Sequence, residues 1–352
     1  MTKTDTMHGA RQAATVRRVL VTGCAGFLGS HLAKRLVGEG KDVVGVDCFT
    51  EFYDPAEKRR NLRRLMDEPR FTLLDLDLSR DALEGLLEGV DVVYHLAAQA
   101  GVRGSFGEGF HAYARHNVTA TQRLLDEAAR WPLQSFTYAS SSSVYGDAEQ
   151  HPTSEDCTRR PVSPYGMTKV ATEELAGVYH RTMGVPTVGL RYFTVYGPRQ
   201  RPDMAFRRFF ERALVGETLP INGDGRQVRD FTYVHDVVAA TMAAAHRGHA
   251  GTVYNVGGGS PVELREAVAI IGELTGREIR VSRRDAQTGD ARKTSCDGTL
   301  TREHLRFDPQ TNLRDGLAAQ LEWLLSRNRG RRFRSAARAG LEVSHGRGAR
   351  IG

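Results

Sequence analysis

The chain alternates short apolar runs with segments in which apolar residues return every three or four positions. Val19-Leu-Val-Thr22, Val43-Val-Gly-Val46, Phe71-Thr-Leu-Leu74, Val90 to Leu96, Phe136 to Ala139 and Thr187 to Leu190 are short and nearly all apolar. A strand buried on both faces reads this way. Between these runs lie helical patterns at Ser30 to Val37, Ala82 to Leu87, Tyr113 to Arg130 and Pro164 to Arg181. The alternation predicts βαβ units and an α/β fold with a parallel, doubly wound sheet. After Gly197 the pattern changes, with Gly197-Pro-Arg-Gln-Arg-Pro, Gly223-Asp-Gly225 and Gly257-Gly-Gly259 punctuating short elements. These predict a first domain over 18–196 with a return segment at about 234–256. A smaller carboxy-terminal substrate-binding lobe is expected over 197–233 and 257–326.

A chain of 352 residues is long enough for one large α/β domain with such a lobe and a full core. No apolar stretch approaches the eighteen or so residues of a membrane span, and the first residues, 1–17, read as a flexible tail without a signal-peptide core. A cytoplasmic protein without a membrane partner is expected. Cys24, Cys48, Cys157 and Cys296 are scattered, which suggests neither a disulfide framework nor a metal site. The net charge of +7 sits at one end: from Arg327 to Gly352 there are eight arginines and one acid, Glu342, so the rest is neutral. Gly, Arg, Ser and Ala dominate 327–352, and disorder is the expectation there. Such a tail can bind nucleic acid or anionic surfaces, but no nucleic-acid partner is expected.

Two stretches carry chemistry. After the first apolar run, Gly23, Gly26 and Gly29 stand in a G-x-x-G-x-x-G spacing with Phe27 and Leu28 between them, and a helical pattern follows. Glycines there let the backbone turn tightly and approach a pyrophosphate, which the helix N-terminus holds through free N–H groups. The next strand-like run ends in Asp47. A carboxylate at that place accepts from a ribose 2′-hydroxyl and repels a 2′-phosphate, and Cys48 follows where an arginine would favour NADP. The cofactor expected is NAD. Further on, Ser163-Pro-Tyr165-Gly-Met-Thr-Lys169 places a phenol and an ammonium four residues apart behind a helix-start signal. On a helix the pair shares one face, and both the helix end and Lys169 favour a phenolate.

Six ordered motifs resemble one family: Thr22-Gly-Cys-Ala-Gly-Phe-Leu-Gly29, His95-Leu-Ala-Ala98, Ser140-Ser-Ser-Ser-Val-Tyr-Gly146, Tyr165-x-x-x-Lys169, Arg191-Tyr-Phe-Thr-Val-Tyr-Gly-Pro198 and Arg229-Asp-Phe-Thr-Tyr-Val-His-Asp236. They are similar to the extended short-chain dehydrogenase/reductases, within them the NAD-dependent nucleotide-sugar epimerases and dehydratases, from about Arg18 to Leu325. The resemblance implies a Rossmann domain with tightly held NAD, a lobe for the nucleotide sugar, and often a homodimer. It implies that Tyr165 takes the proton of the sugar's 4-hydroxyl while carbon 4 gives up hydride, that Lys169 orients the nicotinamide ribose, and that Ser141 bridges the 4-oxygen to Tyr165. Asp77 and Leu78 would then meet the adenine, Leu96, Ala97 and Ala98 would line the cofactor, and Asn117 and Phe193 would stand on its nicotinamide side. Gln227, Arg229 and Arg292 would contact the uridine diphosphate. Gly104, Gly107 and Gly109 make the loop after Arg103 look unusually flexible.

The reaction depends on the residues after Ser141. The family's 4,6-dehydratases carry Asp and Glu there, and its decarboxylases carry Glu just before Val-Tyr-Gly. Here the positions are Ser142 and Ser143, which supply neither acid nor base, so epimerisation at carbon 4 is expected. Thr194 to Met204, the Ala98-Gln-Ala-Gly-Val-Arg103 loop and Phe52 to Lys58 resemble the UDP-glucuronate 4-epimerases, in which the uronate carboxylate is held at the positions of Ser142, Ser143, Thr194 and Arg201. On this reading a neutral hexose would leave Arg201 unpaired. The UDP-glucose/galactose 4-epimerases, the UDP-glucuronate decarboxylases and a non-catalytic NAD-responsive binding protein remain the alternatives.

Overall fold

The structure, a computed structural model, describes residues 16–285, 289 and 291–327. Of the expected tails at 1–17 and 327–352, residues 1–15 and 328–352 lie outside the described residues. Twelve strands are described: β1 (Arg18–Thr22), β2 (Asp42–Asp47), β3 (Phe71–Asp75), β4 (Val92–His95), β5 (Ser135–Ser141), β6 (Thr187–Tyr192), β7 (Thr194–Tyr196), β8 (Leu219–Asn222), β9 (Val228–Tyr233), β10 (Val253–Val256), β11 (Pro261–Glu263) and β12 (Val281–Arg284). Seven of them form one parallel sheet in the order β10-β6-β5-β4-β1-β2-β3. In β1, Val19 and Val21 face one core and Leu20 another, and all three are fully buried. This two-sided burial is why the strands read as unbroken apolar runs.

Helices α1 (Phe27–Gly38) and α2 (Pro55–Leu62) follow β1 and β2. After β4 come α3 (Phe110–Tyr113), a π-helical segment (Ala114–Thr119) and α4 (Ala120–Ala128), where the periodicity predicts one helix. Asn117, buried inside the π segment, explains the irregularity. Its amide accepts from the Gln99 N–H (2.7 Å) and donates to the Gln99 carbonyl (3.0 Å) and the Thr168 hydroxyl (2.9 Å). The helix predicted at Ala82 to Leu87 is a run of turns, because Gly85 and Gly89 adopt φ of 77° and 69°, which α-helix excludes. α5 (Pro164–Met183) begins as expected, with the Ser163 hydroxyl accepting from the Gly166 N–H and Pro164 in the first turn.

The lobe holds α6 (Ala205–Val215) and α8 (Leu264–Thr275), which pack together, and a three-stranded sheet with β9 between β11 and β7. β7 therefore belongs to the lobe's sheet, and the crossover falls at Phe193 rather than after Tyr196. α7 (Val234–Arg247) and β10 return to the main sheet, and α9 (Thr299–Leu305) precedes the last described helix, over 313–327. Arg327, placed with the tail on sequence grounds, is the last described residue of that helix. It and Arg207 both bond Glu57 in the first turn of α2, Arg207 with two nitrogens at 2.7 and 2.9 Å, while Trp323 lies under both guanidiniums. Val16 and Arg17 are likewise anchored: Val16 is buried, and the Arg17 N–H donates to Asp91. β2 lies on one side of β1 and β4 on the other, so strand order reverses there and a crevice opens at the carboxyl ends of the strands.

Candidate active site

The cavity in that crevice starts at the glycine turn. Gly23 takes φ +67°, and a Cβ on Gly29 would meet the Gly23 carbonyl oxygen at 2.1 Å, so only glycine lets the first turn of α1 close on β1. Gly26 is the N-cap and no side chain caps the helix, which leaves its first N–H groups for an anion. The turn, with Phe27 and Leu28, lines the cavity. At the end of β2, Asp47 accepts from the Ala25 N–H (3.0 Å) and the Phe49 N–H (2.9 Å). Those two bonds leave lone pairs for a ribose diol. Burial pushes its carboxyl above the usual range, while the two amides and Lys58 pull it back.

Asp77 and Leu78 line the same cavity beyond β3. The Ser79 N–H and hydroxyl hold the Asp77 carboxylate at 3.0 and 2.6 Å and, with His116 and Arg115, keep its pKa low against burial. Ligand atoms of Cys48, Asp77 and His116 lie within 4.8 Å of one another, but Arg80 and Arg115 approach Asp77 to 3.4 and 3.7 Å and oppose a cation there. Leu96, Ala97 and Ala98 form the wall after β4. A buried chain of bonds fixes that wall. The Ala97 N–H donates to the Thr22 hydroxyl (3.1 Å), which donates to His95 Nδ1 (2.8 Å). His95 Nε2–H then meets the Thr121 hydroxyl (2.9 Å), which donates to the Asn117 carbonyl (2.6 Å). Neutral histidine satisfies every link, and burial, helped by Lys169, lowers its pKa to about 3.

At the centre stand Ser141 at the end of β5, with Tyr165 and Lys169 one turn apart on α5; all three line the cavity. Burial raises the Tyr165 phenol above its ordinary value, opposed by a hydrogen bond with Ser141 and the Arg201 charge. Burial lowers the Lys169 ammonium to about 8, with Glu173 opposing, and Lys169 Nζ donates to the Ala139 carbonyl at 2.8 Å. Glu173 carries the support behind them. It accepts from the Ser140 hydroxyl (2.5 Å) and pairs with two nitrogens of Arg191 (2.9 and 2.8 Å), and Arg191 also donates to the Tyr145 hydroxyl (2.7 Å). Sequence reading missed Glu173; the signal was an acid one turn past Lys169 on a helix face turned inward.

Ser142, Ser143, Phe193, Thr194 and Arg201 complete the cavity. A neighbouring cavity shares Ser142, Ser143 and Thr194 and adds Arg229. Gln227 donates to the Asn222 carbonyl, Arg229 Nη1 donates to the Val228 carbonyl, and the Arg292 carbonyl accepts from the Val228 N–H at 3.2 Å, so all three gather around β8 and β9. Arg103 reaches the same region: with the Asn222 amide turned to accept, its Nη2 lies 2.6 Å away. The Asn117 amide is engaged by Gln99 and Thr168 beside the wall after β4. One expectation changes. Gly109 in the segment after Arg103 serves close packing, since a Cβ there would strike the Gly104 carbonyl at 2.1 Å, while Gly107 takes φ +61°, and the segment forms two 3₁₀ turns. A second residue went unnoticed: Asp203 pairs with Arg201 at 2.9 and 3.0 Å, so Arg201 has a carboxylate before any ligand arrives.

A glycine turn at a switch point, an acid closing the second strand and a Ser-Tyr-Lys set define a Rossmann-type oxidoreductase centre for a dinucleotide. The comparisons agree: residues 19–257 match the NAD dependent epimerase/dehydratase family, and the chain belongs to it, with NAD as its cofactor. A Bacillus subtilis (strain 168) protein named "Uncharacterized UDP-glucose epimerase YtcB" is 43% identical over 311 residues, 88% of this chain and 98% of that one. UDP-glucuronic acid 4-epimerase from Bacillus cereus, solved with UDP-glucuronic acid and NAD, is 39% identical with a TM-score of 0.86 over 88% of this chain and 99% of that one. MoeE5, solved with UDP-glucuronic acid and NAD and also with UDP-glucose and NAD, is 41% identical over 88% of this chain and 99% of that one, with TM-scores of 0.80 and 0.79.

Proposed function

We propose that this NAD-dependent nucleotide-sugar epimerase interconverts UDP-glucuronate and UDP-galacturonate at carbon 4. The observation that carries the reading is one cavity holding Ser141, Tyr165 and Lys169 together with Arg201, whose charge acts on the Tyr165 phenol. Bound NAD supplies a hydride acceptor and donor, so carbon 4 is oxidised and then reduced on its other face. Tyr165 takes the 4-hydroxyl proton through Ser141 and returns it after the sugar has turned. Lys169 and the α5 N-terminus favour the phenolate against burial. Ser142 and Ser143 offer hydroxyls and no titratable group, which supports epimerisation over elimination. The 4-keto uronate is a β-keto acid and loses carbon dioxide when its carboxylate swings perpendicular to the carbonyl. Donors from Ser142, Ser143, Thr194 and Arg201 would pin that carboxylate. Gln227, Arg229 and Arg292 are assigned to the uridine diphosphate, where arginine forks suit paired oxygens.

A second reading, interconversion of UDP-glucose and UDP-galactose, is favoured by the Arg201 pair with Asp203, since a neutral sugar then leaves no arginine bare. Incubation with each sugar nucleotide followed by NMR of the product decides. UDP-galacturonate formed from UDP-glucuronate is the expected result, and turnover of UDP-glucose alone would replace the first reading by the second.

A further inference from the structure

The Arg201 guanidinium offers five N–H donors, and Asp203 occupies two nitrogens, Nε at 3.0 Å and Nη2 at 2.9 Å. The pair is on the cavity rim: the Arg201 side chain is 18% exposed and that of Asp203 39%. Arg201 lines the cavity with Tyr165, and the Phe52 ring lies 5.8 Å from its guanidinium. Gly101, at φ +103°, brings the loop before Arg103 so near that a Cβ there would be 3.9 Å from Asp203 Oδ2. A carboxylate so placed has three consequences. It neutralises the arginine when the cavity holds a neutral hexose. It leaves donors over for a second carboxylate. It also repels that second carboxylate, because two anions must share one cation.

We propose that Asp203 sets the sugar specificity of this site, as a resident counter-carboxylate that admits neutral hexoses and moderates the preference for uronates. The proposal rests on Arg201 receiving the uronate carboxylate. It places two sugar classes within the enzyme's range, with Asp203 as the residue that weighs one against the other. Asp203 touches Arg201 and no reacting atom, so its effect belongs in KM and not in kcat.

The test is steady-state kinetics of wild type, Asp203→Asn and Arg201→Ala on UDP-glucuronate and UDP-glucose, with melting temperatures to confirm folding. Asparagine keeps an oxygen to orient Arg201 and removes the charge. In Asp203→Asn the ratio of kcat/KM for the uronate over the neutral sugar should rise at least about tenfold, through a lower uronate KM and a higher neutral-sugar KM. Arg201→Ala should erase the ratio. Uronate activity that depends on Arg201 with an unchanged ratio in Asp203→Asn overturns the proposal while leaving the functional reading intact. Equal losses for both sugars in Asp203→Asn, showing that Asp203 only holds its loop, overturn it as well. A wild type inactive on UDP-glucuronate overturns both.

Discussion

A methyl group on Gly29 would stand 2.1 Å from the Gly23 carbonyl oxygen, 2.7 Å from its carbon and 2.9 Å from the Cys24 α-carbon. All three are backbone atoms, so no side chain can swing aside. Ordinary contact lies near 3.5 Å, and the turn or the start of α1 must retreat by roughly 1 Å. Overpacking of this kind costs about 1–3 kcal/mol of stability. The effect on NAD should exceed that on folding, because displaced first-turn N–H groups lose charge-assisted bonds to the pyrophosphate worth about 1.5–3 kcal/mol each. Losing one raises Kd roughly 10- to 150-fold. Gly38, at the other end of the same helix, has nothing within 4 Å of its place for a Cβ, so Gly38→Ala is the control. Calorimetric titration of nucleotide-stripped protein with NAD, beside thermal melts, measures both effects. A Gly29→Ala protein that binds NAD within twofold of wild type would refute the reasoning, as would an equal loss in the control.

Tyr165→Phe should keep fold and NAD but lose turnover by at least roughly 10²–10⁴-fold; more than about a tenth of the wild-type rate would remove Tyr165 as the proton carrier. With Asp47 facing the ribose and Cys48 beside it, mass spectrometry of the supernatant from denatured protein should find NAD, and NADP as the dominant nucleotide would contradict the role given to Asp47. Burial, reinforced by Arg199 and Lys169 respectively, lowers His31 and His95 to about 3, against about 6.5 in an unfolded chain. The unfolded state therefore binds more protons between those values. Their contribution is complete above about pH 6.5 and is lost as pH falls toward 3, by at most about 1.4 kcal/mol per pH unit for each histidine. Denaturant melts at pH 7.5, 6 and 5 should show that decline, and a flat profile would show the histidines protonated in the fold.

The main sheet was legible because its strands are buried on both faces and its glycines mark a turn no other residue can make. The Tyr165 and Lys169 pair was legible from spacing and a capping signal. What escaped lay in side-chain direction. Glu173 reads as a solvent acid on α5, yet it is turned toward Arg191. Asp203 reads as a turn residue two places after an arginine, and only the folded loop reveals the pair. The Asn117 amide bonds Gln99 and Thr168, partners that spacing along the chain does not show. The helix at Ala82 to Leu87 failed because apolar spacing says nothing of two glycines with positive φ.

Glu57 ties the last described helical turn to the segment that walls the nucleotide cavity, across 270 positions of sequence. Phe52, Tyr53 and Lys58 line that cavity, and the Glu57 carboxylate among them is held by Arg207 and Arg327. Free energy spent at one end of such a brace is felt at the other, in equal measure. A nucleotide that steadies the wall should slow the opening of the helix at Trp323 and Arg327, and a chain cut before Trp323 should bind that nucleotide less firmly. The last described turn thereby becomes a gauge of cavity occupancy, readable by hydrogen exchange at residues outside the cavity lining.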